Sequence, residues 1–205
     1  MRTHAIVILL APFVAACFGH HGGPNTRHGN NLLLGRLGAP SFPTSTARCP
    51  SRTGEGKILL RFSNGRKRVR GRCRGGLKVG KWKGWYVNGA VVWKASFDNG
   101  MLHGKFRSYH ANDKKKVRVR FNRGLAYGKF KAWWHNGKLR ARGKYVAGKR
   151  SGCWETWHRS GRKASKGTYS EGKKVLTWIT WSASGQKSKS KLGGEATGGR
   201  CLLMF

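Results

Sequence analysis

Carboxylates are almost absent from this chain. Six Asp and Glu residues (Glu55, Asp98, Asp113, Glu155, Glu171, Glu195) stand against 43 Lys and Arg, for a formal charge of +37. Acids so few and so scattered offer no carboxylate pair for general acid–base chemistry. Turn chemistry accounts for Asp98 and Asp113. Proline is also missing where it matters: all five prolines lie before residue 56, so nothing in the long central stretch removes a ladder hydrogen bond. No apolar run reaches the roughly 20 residues that a membrane-spanning helix needs. No Cys-x-x-Cys or Cys/His spacing suggests zinc, and no metal is expected. His20, His21 and His28 would suit a transition metal, but their Gly- and Pro-rich surroundings make a plain linker the simpler reading. No Ser/His/Asp set, Cys/His set or phosphate loop is present. Neither catalysis nor a cofactor is expected.

What is present is a repeat of 24 residues. Asn64-Gly65, Asn88-Gly89, Asn112-Asp113, Asn136-Gly137, Ser160-Gly161 and Ser184-Gly185 are spaced by 24. Gly76, Gly100, Gly124, Gly148 and Gly172 keep the same register. So do two aromatic series: Trp82, Phe106, Phe130, Trp154, Trp178, and Trp85, Tyr109, Trp133, Trp157, Trp181. A fixed period of this length marks a repeat array, which presents an extended surface instead of one pocket. Asn-Gly between runs rich in aromatic and β-branched residues is a hairpin signal, and a type I′ turn with positive φ at both central residues is the expectation. The predicted fold is all-β: an elongated single-layer antiparallel β-meander of about five 24-residue hairpin repeats and about eleven short strands.

A two-residue turn that pairs Val87 with Ala90 separates the side chains into two faces. Trp82, Gly84, Tyr86, Val91, Trp93, Ala95 and Phe97 share one, with Phe106, Ser108, His110, Val117, Val119 and Phe121, then Phe130, Ala132, Trp134, Leu139, Ala141 and Tyr145. That face is apolar. The other carries Lys105, Arg107, Lys114, Lys116, Arg118 and Arg120, then Lys129, Lys131, Lys138, Arg140, Arg142 and Lys144, with one aromatic per unit among the cations. His110 and His158 fill the slot of Tyr86 and Trp134 and read as repeat positions.

The motif Gly80-Lys81-Trp82-Lys83-Gly84-Trp85-Tyr86-Val87-Asn88-Gly89, followed by Phe97-Asp98-Asn99-Gly100, resembles the bacterial MORN-variant repeats. It recurs at Gly128-Lys129-Phe130 with Trp133-Trp134-His135-Asn136-Gly137 and Tyr145-Val146-Ala147-Gly148. The resemblance covers about residues 56 to 188 and implies a twisted β-meander. It also implies a scaffold without a shared catalytic residue, often attached to the cell envelope. Some members bear an antitoxin-like, YwqK-type label, and MORN repeats elsewhere are proposed to bind acidic lipid. The strongly basic character departs from that pattern, and the last unit has Leu176 where a Gly is expected.

The ends read differently from the array. Met1 to His4 is a short basic start, Ala5 to Ala16 is apolar, and Val14-Ala15-Ala16-Cys17 resembles the lipobox of bacterial lipoproteins. Residues 1–16 are therefore expected to be a signal peptide. Cys17 is expected to be lipidated, and the plainer alternative is simple secretion. Phe18 in place of Asp after Cys17 points to the outer membrane. Residues 17–55, with Pro24, Pro40, Pro43 and Pro50, read as a flexible tether. The repeat domain is placed at 56–188 and a Lys/Ser/Gly-rich tail at 189–205. Lys187 to Arg200 reads as disordered, and Cys201 to Phe205 either folds back on the last strands or stays free. Beyond Cys17, the even set Cys49, Cys73, Cys153 and Cys201 suggests two disulfides in an exported chain, with three connectivities or free thiols left open. The resemblance to lipoproteins of this type implies Cys49–Cys73, with Cys73 on the apolar face, and with it Cys153–Cys201.

All but a few of the cations belong to the array. Such an excess repels itself unless a polyanion or counter-ions neutralise it. The residues expected to face a polyanion are Arg68, Arg70, Arg72, Lys105, Arg107, Lys116, Arg118, Arg120, Lys129, Lys131, Arg140, Arg142 and Lys144. Trp85, Tyr109, Trp133 and Trp157 would add cation–π contacts. The expected partners are an anionic envelope polymer, anionic lipid or an acidic protein. Nucleic acid takes first place only if the signal reading fails. A protein partner using the apolar face or a sheet edge is the alternative, and Lys on exposed strands that merely prevents aggregation is the plainest one. Fractionation of membranes with mass spectrometry of the N-terminus should find a lipid-modified Cys17. A mature chain that retains Met1, or starts elsewhere without lipid, removes the anchor.

Overall fold

The computed structural model describes Cys49, residues 55–196, Gly199 and Cys201. The expected signal segment, Cys17, most of the tether and Leu202 to Phe205 lie outside the described residues. The strands are β1 (Gly56–Arg61), β2 (Lys67–Arg74), β3 (Leu77–Trp85), β4 (Val91–Asp98), β5 (Met101–Leu102), β6 (Gly104–Tyr109) and β7 (Lys115–Asn122). They continue with β8 (Leu125–Trp133), β9 (Leu139–Val146), β10 (Lys149–Trp157), β11 (Lys163–Ser170), β12 (Lys173–Trp181) and β13 (Lys187–Leu192). All lie in one antiparallel sheet in sequence order, with the short β5 pairing only β4. The β-meander expectation holds. The strand β13 lies where disorder was expected: its six residues pair with β12 from Leu176↔Leu192 to Trp181↔Lys187. Lys187, Lys189 and Lys191 on this exposed strand guard a sheet edge against further pairing.

The hairpin turns differ from the expected type I′. Tyr86 N–H donates to the Ala90 carbonyl at 2.8 Å and Gly89 N–H to the Tyr86 carbonyl at 2.9 Å, so the loop has three residues. Of Asn88 and Gly89 only Gly89 has positive φ. This is a type I turn followed by one left-handed residue, the commonest three-residue hairpin. Asn satisfies this geometry as well as the other: its Oδ1 accepts the N–H two residues on, at 3.1 Å for Asn88 and Ala90. Asp113 takes the same left-handed slot at φ 59°. The longer turn shifts the register by one residue, and a bulge beside Trp85, Tyr109 and Trp133 shifts it back. The two faces are therefore as expected except next to the turns.

A second irregularity recurs between the units. Arg70 pairs with Lys83 but Arg72 with Val79, so Gly71 alone opposes Gly80, Lys81 and Trp82. The same happens at Arg118–Arg120 and at Lys166–Thr168. Bulges bend the bulged strand, and here each bends at the same height. Gly80, Gly104, Gly128 and Gly152 hold φ between +66° and +80° at this bend, and Leu176 holds +59° without the glycine. Two residues on, Trp82, Trp154 and Trp178 lay their indoles over Gly71, Gly143 and Gly167; a Cβ on any of these glycines would stand within about 2.3 Å of the ring. The indole N–H groups donate to the carbonyls of Arg72, Lys144 and Thr168 at 3.1–3.2 Å. Where the partner is Ala95 or Val119, the ring is the smaller Phe106 or Phe130.

On the inside of this bend the apolar face is buried. Trp82, Phe106, Phe121, Phe130, Tyr145 and Trp154 are each 1% exposed, and Trp93 is 6% exposed. Edge-to-face pairs hold rings together within a unit, as Trp82–Phe97, and between units, as Tyr145–Trp154. Both disulfides are formed: Cys49–Cys73 and Cys153–Cys201. Cys73 is buried in the apolar cluster, and Cys49 packs against it. Gly143→Ala should destabilise the fold by about 1–3 kcal/mol by overpacking. Adding Trp154→Phe should recover part of the loss in a thermal melt, because Ala95 already coexists with Phe106. An unchanged melt for Gly143→Ala would contradict this packing.

Candidate polyanion-binding face

Cross-strand pairing brings the cations of the outer face into a line. Arg70 opposes Lys83, Lys83 opposes Lys94, and Lys94 opposes Arg107. Arg107 opposes Arg118, Arg118 opposes Lys131, and Lys131 opposes Arg142. These seven cations occupy seven neighbouring strands, and at about 4.8 Å per strand the row is about 29 Å long. A second, parallel row two residues along the strands holds Lys57, Arg72, Lys81, Lys105, Arg120, Lys129 and Lys144; it is broken where Arg72 opposes Val79, Lys81 opposes Ser96 and Arg120 opposes Tyr127. Like charges directly opposite each other destabilise a sheet. The strain registers at Lys83: burial first, then the charges of Lys94, Lys67 and Arg70, hold its ammonium below the ordinary lysine value.

Between the long side chains lie two cavities of about 710 and 720 Å³. They share Lys105 and Arg107, so the face is a trough following the row. The aromatics Trp85, Tyr109, Trp133 and Trp157 flank it half-buried. Lys83 sits 4.9 Å from the Trp85 ring, Lys94 5.8 Å from Tyr109, and Arg142 5.4 Å from Trp157. These rings therefore orient the protein's own cations before any ligand arrives.

Of the residues expected here, Arg70, Arg72, Lys105, Arg107, Arg118, Arg120, Lys129, Lys131, Arg142 and Lys144 lie in the rows, and all of these but Arg72 and Arg142 line the two cavities. Arg68, Lys116 and Arg140 do not lie in the rows. They stand next to the turns, where the register is shifted by one. Arg68 lies 5.8 Å from the Phe62 ring and Arg140 4.6 Å from the Trp134 ring. Burial lowers the pKa of Lys116 and Arg140, and Arg140 lowers Lys116 further. Lys81, Lys83 and Lys94 belong to the rows and were missed; the 24-residue register, which aligns Lys81 with Lys105 and Lys83 with Arg107, was the signal. Tyr127 was missed too. It is 39% exposed, lines the second cavity, and occupies a slot with no repeated residue type.

The repeat-position histidines have a structural task. Tyr86 Oη donates to the Tyr109 carbonyl at 3.0 Å and Trp134 Nε1 to the Trp157 carbonyl at 3.0 Å. His110 Nε2 and His158 Nε2 meet the carbonyls of Trp133 and Trp181 at 3.0 and 2.7 Å. The slot needs a ring with a donor that reaches the next unit. Burial lowers the His110 pKa; the bond to Trp133 opposes this, while Lys116, His135 and Arg140 add to it.

The outer face changes character after β9. Cys153 takes the slot of Lys105 and Lys129, Glu155 that of Arg107 and Lys131, and Thr168 that of Arg120 and Lys144. Glu155 is 5% exposed and accepts hydrogen bonds from Arg142 Nε at 2.5 Å and Lys163 Nζ at 3.0 Å. Burial pushes its carboxyl up, but the bonds and charges of Lys163 and Arg142 outweigh this and hold its pKa below the ordinary glutamate value. A depressed carboxylate stabilises the fold above its unfolded pKa, about 4.3, and loses that contribution as pH falls through its folded value. Thermal melts from pH 6 down to about pH 3 should therefore show a loss of stability that is smaller in Glu155→Gln. Parallel pH curves for the two proteins would contradict the pairing.

The profile of the MORN repeat variant family matches residues 102–123 and 126–147. No curated protein matches the chain. The two matched segments are successive copies of the 24-residue unit that builds the whole sheet. The chain carries MORN-variant repeats at these residues, which suggests a binding or scaffolding repeat module.

Proposed function

We propose that the protein does no chemistry and holds an anionic polymer of the cell envelope along the trough on its basic face. The supporting observation is the row of seven directly opposed cations, from Arg70 to Arg142, on adjacent strands. Such a row is unfavourable in isolation and becomes favourable when a line of negative charge neutralises it. The charged ribbon is two residues wide and about 29 Å long, which suits one extended chain better than a flat layer of lipid headgroups. Lipidation of Cys17 would keep the module at the membrane, where such polymers are met; secretion is the alternative. Docking of a protein on the apolar face has no surface to use, because Trp93 and its neighbours are buried.

Titration of the full chain with polygalacturonate should give binding at about 50 mM salt that weakens about a hundredfold or more at 200 mM, as counter-ion release by several cations requires. Arg118→Gln with Lys131→Gln should weaken it further at low salt. Vesicles rich in phosphatidylglycerol form the second arm and are expected to bind less tightly. Salt-insensitive binding, or none to either probe, removes the proposal.

A further inference from the structure

The trough is not open at both ends. At the β1 end its first row continues to Leu59 opposite Arg70, and its second to Lys57 opposite Arg72; the carboxylate there, Glu55, is exposed and pairs with Arg74 outside the two rows. At the other end three features coincide. Glu155, between Arg142 and Lys166 in the row, places a nearly buried carboxylate where the three preceding units have Lys83, Arg107 and Lys131, and grips Arg142 with Lys163 on its other oxygen. Cys153 ties the C-terminal segment down through Cys201, whose N–H donates to Thr168 Oγ1 at 3.1 Å. The carbonyl of Gly199 lies 3.2 Å from where a Cβ of Gly152 would stand, and Gly194 packs beside Val175. Val175 and Ile179, buried on this face at 7% and 2% exposure, stand apart from the apolar cluster on the other.

We infer that Glu155 and the disulfide-pinned C-terminal segment form an end stop for the polyanion, so that the bound length is set by the six strands of the row from Arg70 on β2 to Lys131 on β8 and the polymer leaves past β1. This rests on the polyanion reading above. Glu155 is the specificity-determining residue: it engages Arg142 and Lys163 from within, so that neither is free for a ligand that would run on toward Lys166 on β11. The described residues of the segment, Gly194, Gly199 and Cys201, lie against Val175, Gly152 and Thr168 on the outer face. Arg142 thus belongs to the row by position and contributes little to binding, unlike Lys131 one strand earlier.

The test uses the full chain and oligogalacturonates of increasing defined length at low salt. Affinity should rise steeply until the oligomer spans about 24 Å and then flatten. Lys131→Gln should weaken binding of the long oligomers about threefold, the size of one exposed ion pair, whereas Arg142→Gln changes it little. In a Glu155→Gln background Arg142→Gln should acquire the effect of Lys131→Gln, a coupling that a double-mutant cycle isolates. If Glu155→Gln does not fold, the comparison of Lys131→Gln with Arg142→Gln in the parent chain still decides. A steep rise that continues past the six-strand span, or an Arg142→Gln effect equal to that of Lys131→Gln, overturns the end stop and leaves the binding reading intact. Failure of every oligomer and of the polymer to bind overturns both.

Discussion

The structure depends on one steric match, made again at each junction between units. A strand turns sharply through a left-handed residue, and the ring two positions later falls onto a gap in the neighbouring strand. The gap is wide where that neighbour is Gly71, Gly143 or Gly167 and the ring is an indole. It is narrower at Ala95 and Val119, where the ring is Phe106 or Phe130. This exchange of volume between positions eleven apart keeps the bend the same from unit to unit. It also lets a single sheet bury an aromatic row on one side with no second layer. The opposite side is then left to cations, whose mutual repulsion that packing must overcome.

Much of this was legible in the sequence because the period is undisturbed. Two aromatic series and two turn series in one register specify strand order, hairpins and the buried rings without any coordinates. Two features were not. Asn-Gly is compatible with a two-residue and a three-residue loop, and only the backbone shows that Asn88 keeps negative φ. A compensating bulge hid the difference over most of each strand, yet it carried Lys116 and Arg140 out of the rows and toward the corner rings. The C-terminal strand Lys187–Leu192 was hidden by its composition, since Lys and Ser alternating in a terminal stretch look the same whether solvated or paired at an edge.

The candidate face was legible in kind and incomplete in membership. Alternation along the strands separates cations from rings, so the trough was visible as a composition. Its linearity depends on which residue opposes which, and that follows from register. Glu155 is the instructive case. Read alone it is one of six scattered acids, whereas in register it is the residue at which the series of opposed cations ends. Of the departures of the last units from the repeat, Cys153 and Thr168 meet the chain's own terminus, through the disulfide to Cys201 and the bond from the Cys201 N–H.

The two disulfides join the first described residue and the last to the array, at Cys73 and Cys153. A linear stack has a weakness that a globule lacks: its outermost members have a neighbour on one side only, and they come loose first. Glycine N–H groups reach back 22 residues to the previous unit, as Gly100 does to Lys78, and ring donors reach forward 23, as Tyr86 does to Tyr109. Each unit is therefore held by those beside it. Covalent clasps near the two extremities supply the neighbour that the ends are missing, so fraying has no free end from which to start.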